Sequence, residues 1–162
     1  MTTTIFDSPL GLVRVTGDEA GVSAISCVDV SPDEAVSTPT NLPQPVEQAV
    51  VQLTEYFAGT RQSFDFLMNP AGTTFQQTVW KALLDVPFGT TLSYLALTRR
   101  IGDEKAIRAV AAANGKNPLW IVVPCHRIIG SNGSLTGYAG GLWRKKWLQE
   151  HERGGSGQLS LF

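Results

Sequence analysis

The chain reads as an α+β protein in which strands precede helices. Three observations carry that reading. Residues 5–30 place the β-prone Leu12, Val13, Val15, Val22, Ile25 and Val28 between tight-turn signals. From residue 46 onward, apolar residues recur at helical spacing. Charge divides along the same line. Residues 1–73 carry two basic residues, Arg14 and Arg61, against nine acidic ones, whereas residues 74–153 carry eleven basic against five acidic. Two modules with different partners fit such a split, and the basic one suits a polyanion; a solvated basic face is the plainer alternative.

Ser8-Pro9-Leu10-Gly11 and Gly17-Asp18-Glu19-Ala20-Gly21 mark the turns of the strand region. Residues 31–45, rich in Pro, Ser, Thr and Asp, read as a loop. Residues 46–58 then form an amphipathic helix with Val46, Val50, Leu53 and Phe57 on one stripe, closed by Gly59. Asn69-Pro70-Ala71-Gly72 marks a boundary, which divides the chain into 1–72, 73–153 and a tail, 154–162. Thr73 or Thr74 caps a helix carrying Phe75, Val79, Leu83 and Val86, and Pro87-Phe88-Gly89 stops it.

A pair of short helices follows. Ser93 is the N-cap of the first, Leu92 and Leu97 stand at hydrophobic-staple positions, and Gly102 is an αL stop. Asp103 caps the second, which ends near Asn114. Two helices joined by a tight Gly-containing turn make a helix-turn-helix. In the second helix Ile107, Val110, Ala111 and Asn114 form a core-facing stripe, while Lys105, Arg108, Ala109 and Ala112 face away. One arginine on an alanine-lined face suits close approach to a DNA groove; an ordinary exposed arginine is the alternative.

The apolar run Leu119-Trp120-Ile121-Val122-Val123 reads as a buried strand and ends on Pro124-Cys125-His126-Arg127. Strand neighbours point to opposite faces, so Cys125 and His126 cooperate only if the backbone bends at Pro124. A thiol beside a base and an arginine is expected to favour the thiolate. Residues 128–141 read as a hairpin and a glycine-rich loop, either a wing against DNA or the lid of a pocket, and a last helix spans about 142–152.

Size and composition bound the rest. The 162 residues suit one ordinary domain or two small ones, and 43% hydrophobic content is that of a soluble globular protein with no membrane span. Met1-Thr2-Thr3-Thr4 lacks the basic and apolar regions of a secretory signal, so a cytoplasmic location is expected. Cys27 and Cys125 form no CxxC pair, which argues against a disulfide framework and a thiolate zinc site. Cys27 reads as a core residue.

Taken in order, Ser93-Tyr94, Ala106-Ile107-Arg108-Ala109-Val110, Asn117-Pro118, Pro124-Cys125-His126-Arg127, Gly137-Tyr138-Ala139-Gly140-Gly141 and His151-Glu152 resemble the O6-alkylguanine-DNA alkyltransferases. The resemblance is close over 74–153 and general in the N-terminal half. It implies a ribonuclease-H-like sheet-plus-helix domain, followed by a mostly helical, winged helix-turn-helix-like domain that flips O6-alkylguanine out of the duplex. O4-alkylthymine is a further candidate substrate. Cys125 is implied as the alkyl acceptor. His126 relays its proton through a water, Glu152 orients His126, and Asn117 orders the backbone. Tyr94 stabilises the leaving guanine and crowds the phosphate, and Arg108 fills the hole in the duplex. Tyr138, Ala139, Gly140, Lys145, Val123 and Pro124 line the base pocket. Gln76, Leu95, Asp103, Ala109, Ser131 and Arg127 lie along DNA. The thioether product cannot be cleaved by any residue here, so one turnover per molecule is implied, with no cofactor and no metal. Ile107 and Ala139 depart from residues common in the family and put groove fit and pocket tolerance in question. Alkylated double-stranded DNA is the implied partner, met by a monomer.

The tail joins Gly154-Gly155-Ser156-Gly157, a flexible linker by composition, to Gln158-Leu159-Ser160-Leu161-Phe162. The pentapeptide resembles the motif by which bacterial DNA-processing proteins dock on the replicative sliding clamp; a tail folded on its own domain is the alternative. Three other functions compete with repair. A cysteine hydrolase turns over repeatedly. A DNA-binding regulator with Cys125 as sensor binds undamaged DNA by sequence. A protein that only recognises lesions lacks the acceptor cysteine, and this chain has one.

Overall fold

A computed structural model describes residues 1–28, 41–130, 138 and 140–154. The chain forms two compact units. One holds Met1–Ala71 with Pro118–Trp120; the other holds Gly72–Asn117 and the chain from Ile121 onward. Residues 29–40, 131–137, 139 and 155–162, which include parts of the expected loop, hairpin and tail, lie outside the described residues.

The first unit is an antiparallel meander, β1 (Thr2–Ser8), β2 (Gly11–Asp18) and β3 (Gly21–Val28), in the order β1-β2-β3. Val13 and Val15 on β2, two residues apart, share a buried face with Val22 and Ile25 of β3. Helix α1 (Gln44–Phe57) starts two residues earlier than the periodicity predicts, because Pro45 sits where a missing N–H costs nothing. Its buried stripe is Pro45, Val46, Ala49, Gln52, Leu53 and Tyr56; Val50 and Phe57, expected on that stripe, are only half-buried at its edges. The sheet takes a short piece of later chain: the Ile25 N–H donates to Pro118 O at 2.8 Å and the Trp120 N–H to Ile25 O at 3.1 Å.

The second unit is mostly helical: α2 (Thr74–Leu83), α3 (Tyr94–Ile101), α4 (Ile107–Gly115) and α5 (Leu142–Glu152). Thr73 caps α2 in a reciprocal capping box with Gln76, and Ser93 caps α3 by accepting from Ala96 N. Trp80 Nε1 donates to Ala113 O at 2.9 Å, tying α2 to α4. Gly102 ends α3 at φ 156°, ψ −101°, outside the αL region expected of it. Asp103 caps a 3₁₀ turn (Glu104–Ala106) that leads into α4, so α3 and α4 are the expected helix pair with an added turn between them. A two-residue parallel ladder joins β4 (Leu92–Ser93) to β5 (Ile128–Ile129), a pairing too short for periodicity to show. It anchors the start of α3, and with it Tyr94, to the chain just after Arg127. Among the described residues no helix is long and apolar enough to cross a membrane.

The expected strand at 119–123 does not form. All but half-buried Trp120 are buried as predicted, but only Leu119 makes a bridge, to Ile25. Ile121 adopts φ 75°, a region a β-branched residue rarely enters, and the extended course ends there.

Candidate active site

Pro124 breaks the chain, and Cys125–Arg127 form one turn of 3₁₀ helix, with Cys125 N–H donating to Val123 O at 2.8 Å and Arg127 N–H to Pro124 O at 3.0 Å. A 3₁₀ turn sets successive side chains about 120° apart. One turn therefore sends a thiol, an imidazole and a guanidinium in three directions, all buried. The backbone therefore bends at Pro124, as expected.

Each group meets a partner from another element. Asn117, just past α4, donates through Nδ2 to Val123 O at 2.7 Å and to Cys125 Sγ at 3.3 Å, fixing both the turn and the sulfur. Helix α5 brings Lys145, Gln149 and Glu152 along one face, at spacings of four and three. Gln149 Nε2 donates to His126 O at 2.8 Å, and His126 Nε2 lies 2.7 Å from Glu152 Oε2. Arg127 grips the same carboxylate with two bonds, Nε to Oε1 at 2.7 Å and Nη2 to Oε2 at 2.9 Å, and donates from Nη1 to Val86 O at 2.7 Å.

The electrostatics follow from burial and pairing. Burial pushes the Cys125 thiol up to about 11, against the opposing pull of the Asn117 hydrogen bond, the Lys145 charge and its own backbone N–H. The thiolate expected from the tetrapeptide is therefore not the resting form: desolvation outweighs the neighbouring positive charge. Burial also lowers the His126 pKa, and the charges of Arg127 and Lys145 add to it; only Glu152 opposes them. Burial acts to raise Glu152, but His126 and Arg127 outweigh it and hold the carboxyl well below the usual range. Burial lowers Lys145, with Cys125 opposing. The resting site is thus a thiol, a neutral imidazole and a carboxylate. An ionised Glu152 accepts, so Nε2 carries the imidazole hydrogen and Nδ1 is the basic nitrogen. That Nδ1 is buried and has no hydrogen-bond partner among the described residues.

The other sequence-derived residues fall into two groups. Val123, Pro124, Gly140 and Lys145 are buried and Tyr138 half-buried; Gly140 O accepts from Arg144 Nη1 at 3.1 Å, and Tyr138 O from Gly141 N at 2.8 Å. Tyr94 is half-buried, its hydroxyl accepting from Asn114 Nδ2 at 3.3 Å. Arg108, Ala109 and Asp103 are exposed on the helix pair, Leu95 half-buried at its start, and Gln76 half-buried in the cap of α2. Ser131, Ala139, Gln158, Leu159, Leu161 and Phe162 lie outside the described residues. Arg127, expected along DNA, has its donors turned inward on Glu152 and Val86 instead. Among the described residues no His, Cys, Asp and Glu side chains cluster in a set that could hold a metal.

Sequence reading missed Gln149 and Asn114. The spacing of Gln149 between Lys145 and Glu152 is a signal it could have used; nothing local marks Asn114 as the partner of Tyr94.

Two family descriptions match the chain: "6-O-methylguanine DNA methyltransferase, ribonuclease-like domain" over residues 1–70 and "6-O-methylguanine DNA methyltransferase, DNA binding domain" over residues 74–154. The chain is 44% identical over 157 residues to a methylated-DNA–protein-cysteine methyltransferase of Mycolicibacterium paratuberculosis, covering 96% of this chain and 95% of that one. It is 43% identical over 151 residues to a protein of the same name from Methanosarcina acetivorans, covering 91% and 96%. The Mycobacterium tuberculosis OGT structure in complex with DNA is similar in fold, with a TM-score of 0.81, 42% identity, and coverage of 95% of this chain and 94% of that one.

Proposed function

The chain belongs to the 6-O-methylguanine DNA methyltransferase family, and from that membership we propose that it repairs DNA by direct reversal, taking the alkyl group of O6-alkylguanine onto Cys125. The observation that supports this most is the polarity of His126. Nε2 is committed to Glu152, and the base left over, Nδ1, is buried on the turn that carries the thiol.

The steps balance as follows. The alkylated base leaves the duplex for a pocket lined by Val123, Pro124, Tyr138, Ala139, Gly140 and Lys145, since the alkyl carbon is out of reach inside the stack. Arg108, exposed on α4, enters the space it vacates, and Gln76, Leu95, Asp103, Ala109 and Ser131 follow the backbone. The Cys125 proton passes through a water to His126 Nδ1. Sγ attacks the alkyl carbon, the carbon–sulfur bond forms, and the bond to O6 breaks. The electron pair moves into the guanine ring, and Tyr94 donates one proton to the base. The proton that His126 took from sulfur passes back through solvent to the Tyr94 oxygen, so one proton moves in all from sulfur to guanine. The base is restored and the cysteine is left as a thioether. With its pKa raised to about 11 the resting sulfur is a thiol, so the nucleophile forms by giving its proton to His126 rather than by ionising to solvent. A thioether is not cleaved by any group in the site, so each molecule acts once. The same pocket is a candidate for O4-alkylthymine.

The test is stoichiometry. With a duplex carrying one O6-methylguanine in excess, repaired strand is expected to accumulate to one equivalent of protein and stop. Continued turnover, or an untouched lesion with folded protein, contradicts the reading.

The tail supplies a second partner. Gln158, Leu159, Leu161 and Phe162 supply the polar and apolar anchors of a motif that inserts in a pocket of the bacterial sliding clamp. The four preceding residues are Gly and Ser, a composition that suits a motif reaching for a partner pocket. Pull-down by the clamp, lost on Leu161→Ala with Phe162→Ala, is expected; no binding by the intact chain ends the idea.

A further inference from the structure

Arg127 is the residue of the signature tetrapeptide that the relay above leaves unused. Its guanidinium is buried, makes two bonds to Glu152 and one to Val86 O, and lies over the Phe88 ring at 5.7 Å from the centroid. The Gly89 N–H also points to Glu152 Oε1, at 3.4 Å, and a Cβ at Gly89, which has φ +79°, would meet Glu152 O at 3.1 Å. The Val86–Gly89 turn and Arg127 thus enclose one side of the carboxylate, and His126 has the other.

We propose that Arg127 is a positioning residue for alkyl transfer: it neutralises and orients Glu152, so that Glu152 holds His126 by its Nε2–H without drawing a proton onto the ring. The inference rests on the relay reading. A carboxylate paired only with an imidazole, in a site this buried, pulls the imidazole to its charged form. A protonated ring cannot accept the thiol proton. The two-point bond from Arg127 cancels the charge of Glu152 in advance and leaves its oxygen as an oriented acceptor. The charged groups acting on His126 are Glu152 and Lys145 from α5 and Arg127 from its own turn. Arg127 bonds directly, at two points, to the carboxylate that orients the ring. The lowered pKa of His126 accords with this arrangement.

The chain has only two histidines, His126 and His151, so ring ¹⁵N spectra report His126 with His151 as an internal reference. In the wild type, His126 is expected as the neutral Nε2–H tautomer at pH 7; an imidazolium there overturns the proposal without any variant. In Arg127→Gln its titration midpoint is expected to rise. Single-turnover transfer at pH 7 should fall about tenfold or more, a part of the ~100-fold or greater contribution of a positioned base, and recover as pH rises. Arg127→Lys, which keeps charge but not the two-point grip, is expected to restore the low midpoint while rate stays reduced. Loss of folding stability alone moves neither midpoint nor pH profile. His126→Asn separates the two readings: if it transfers at the wild-type rate, the relay itself is wrong. If it is slow while folded Arg127→Gln keeps both midpoint and rate, only the role of Arg127 falls.

Discussion

The two units bury different things. Among the described residues the interior of the first is mostly hydrocarbon, with Val13, Val15, Val22, Ile25, Val46, Leu53 and Tyr56, and its buried polar residues are Thr4 and Gln52. The second also has an apolar core, yet it buries Thr98, Asn114, Asn117, His126, Arg127, Arg144, Lys145, Gln149 and Glu152. Burying ionised groups costs more than burying hydrocarbon and is tolerated when each charge is paired and hydrogen-bonded. The first unit is therefore a folding solution, and the second accepts a thermodynamic burden for its chemistry. What separates them is which interior contains groups that a stable fold does not need.

The sharpest way to break the contrast is to remove one partner of the buried charge cluster. Glu152→Gln leaves Arg127 without its counter-ion and is expected to cost about 3–5 kcal/mol in urea unfolding, with transfer lost. Leu53→Ala in α1 is expected to cost a similar or smaller amount, about 2–5 kcal/mol. Transfer per folded molecule should be unchanged, because no part of the proposed reaction lies in that hydrocarbon core. If the two variants behave alike in transfer, the contrast is wrong.

Acid and base both act on the buried groups of the second unit. His126 is held neutral with a lowered pKa, so the unfolded chain binds its proton more readily. The stability it contributes is complete above about 6.5 and is lost as pH falls below that value. Cys125 is shifted the other way: its contribution is complete below its ordinary value of 9.0 and is lost as pH rises through about 11. Chemical unfolding across pH should therefore flatten at the acid side in His126→Gln and at the alkaline side in Cys125→Ala. The smallest effect on stability is expected for Arg108→Ala. The residue is exposed, so unfolding should shift by no more than about 0.5 kcal/mol. Transfer from duplex DNA should slow, and transfer from the free alkylated base should not; equal slowing of both would remove Arg108 from the DNA face.

Much of the frame was legible in the sequence. The turns at Ser8–Gly11 and Gly17–Gly21, the caps at Thr73 and Ser93, and the helix pair around Gly102-Asp103 are local signals, and the chain follows them. The apolar run at 119–123 misled because a buried run has no periodicity to separate a strand from an irregular core segment; only the φ of Ile121 decides. Proximity of charges in sequence says nothing about desolvation, so the tetrapeptide alone points to a thiolate where burial keeps the thiol. Arg127 was misdirected for a related reason. One turn of 3₁₀ helix decides whether a side chain faces solvent or Glu152, and no neighbour in sequence reports that turn.

The most direct measurement is intact-protein mass after mixing with a duplex bearing one O6-methylguanine, beside a Cys125→Ser control. A gain of one methyl group per molecule, absent from the control, is expected if Cys125 is the acceptor. An unchanged mass with folded protein and the lesion intact, or a gain that persists in Cys125→Ser, contradicts it.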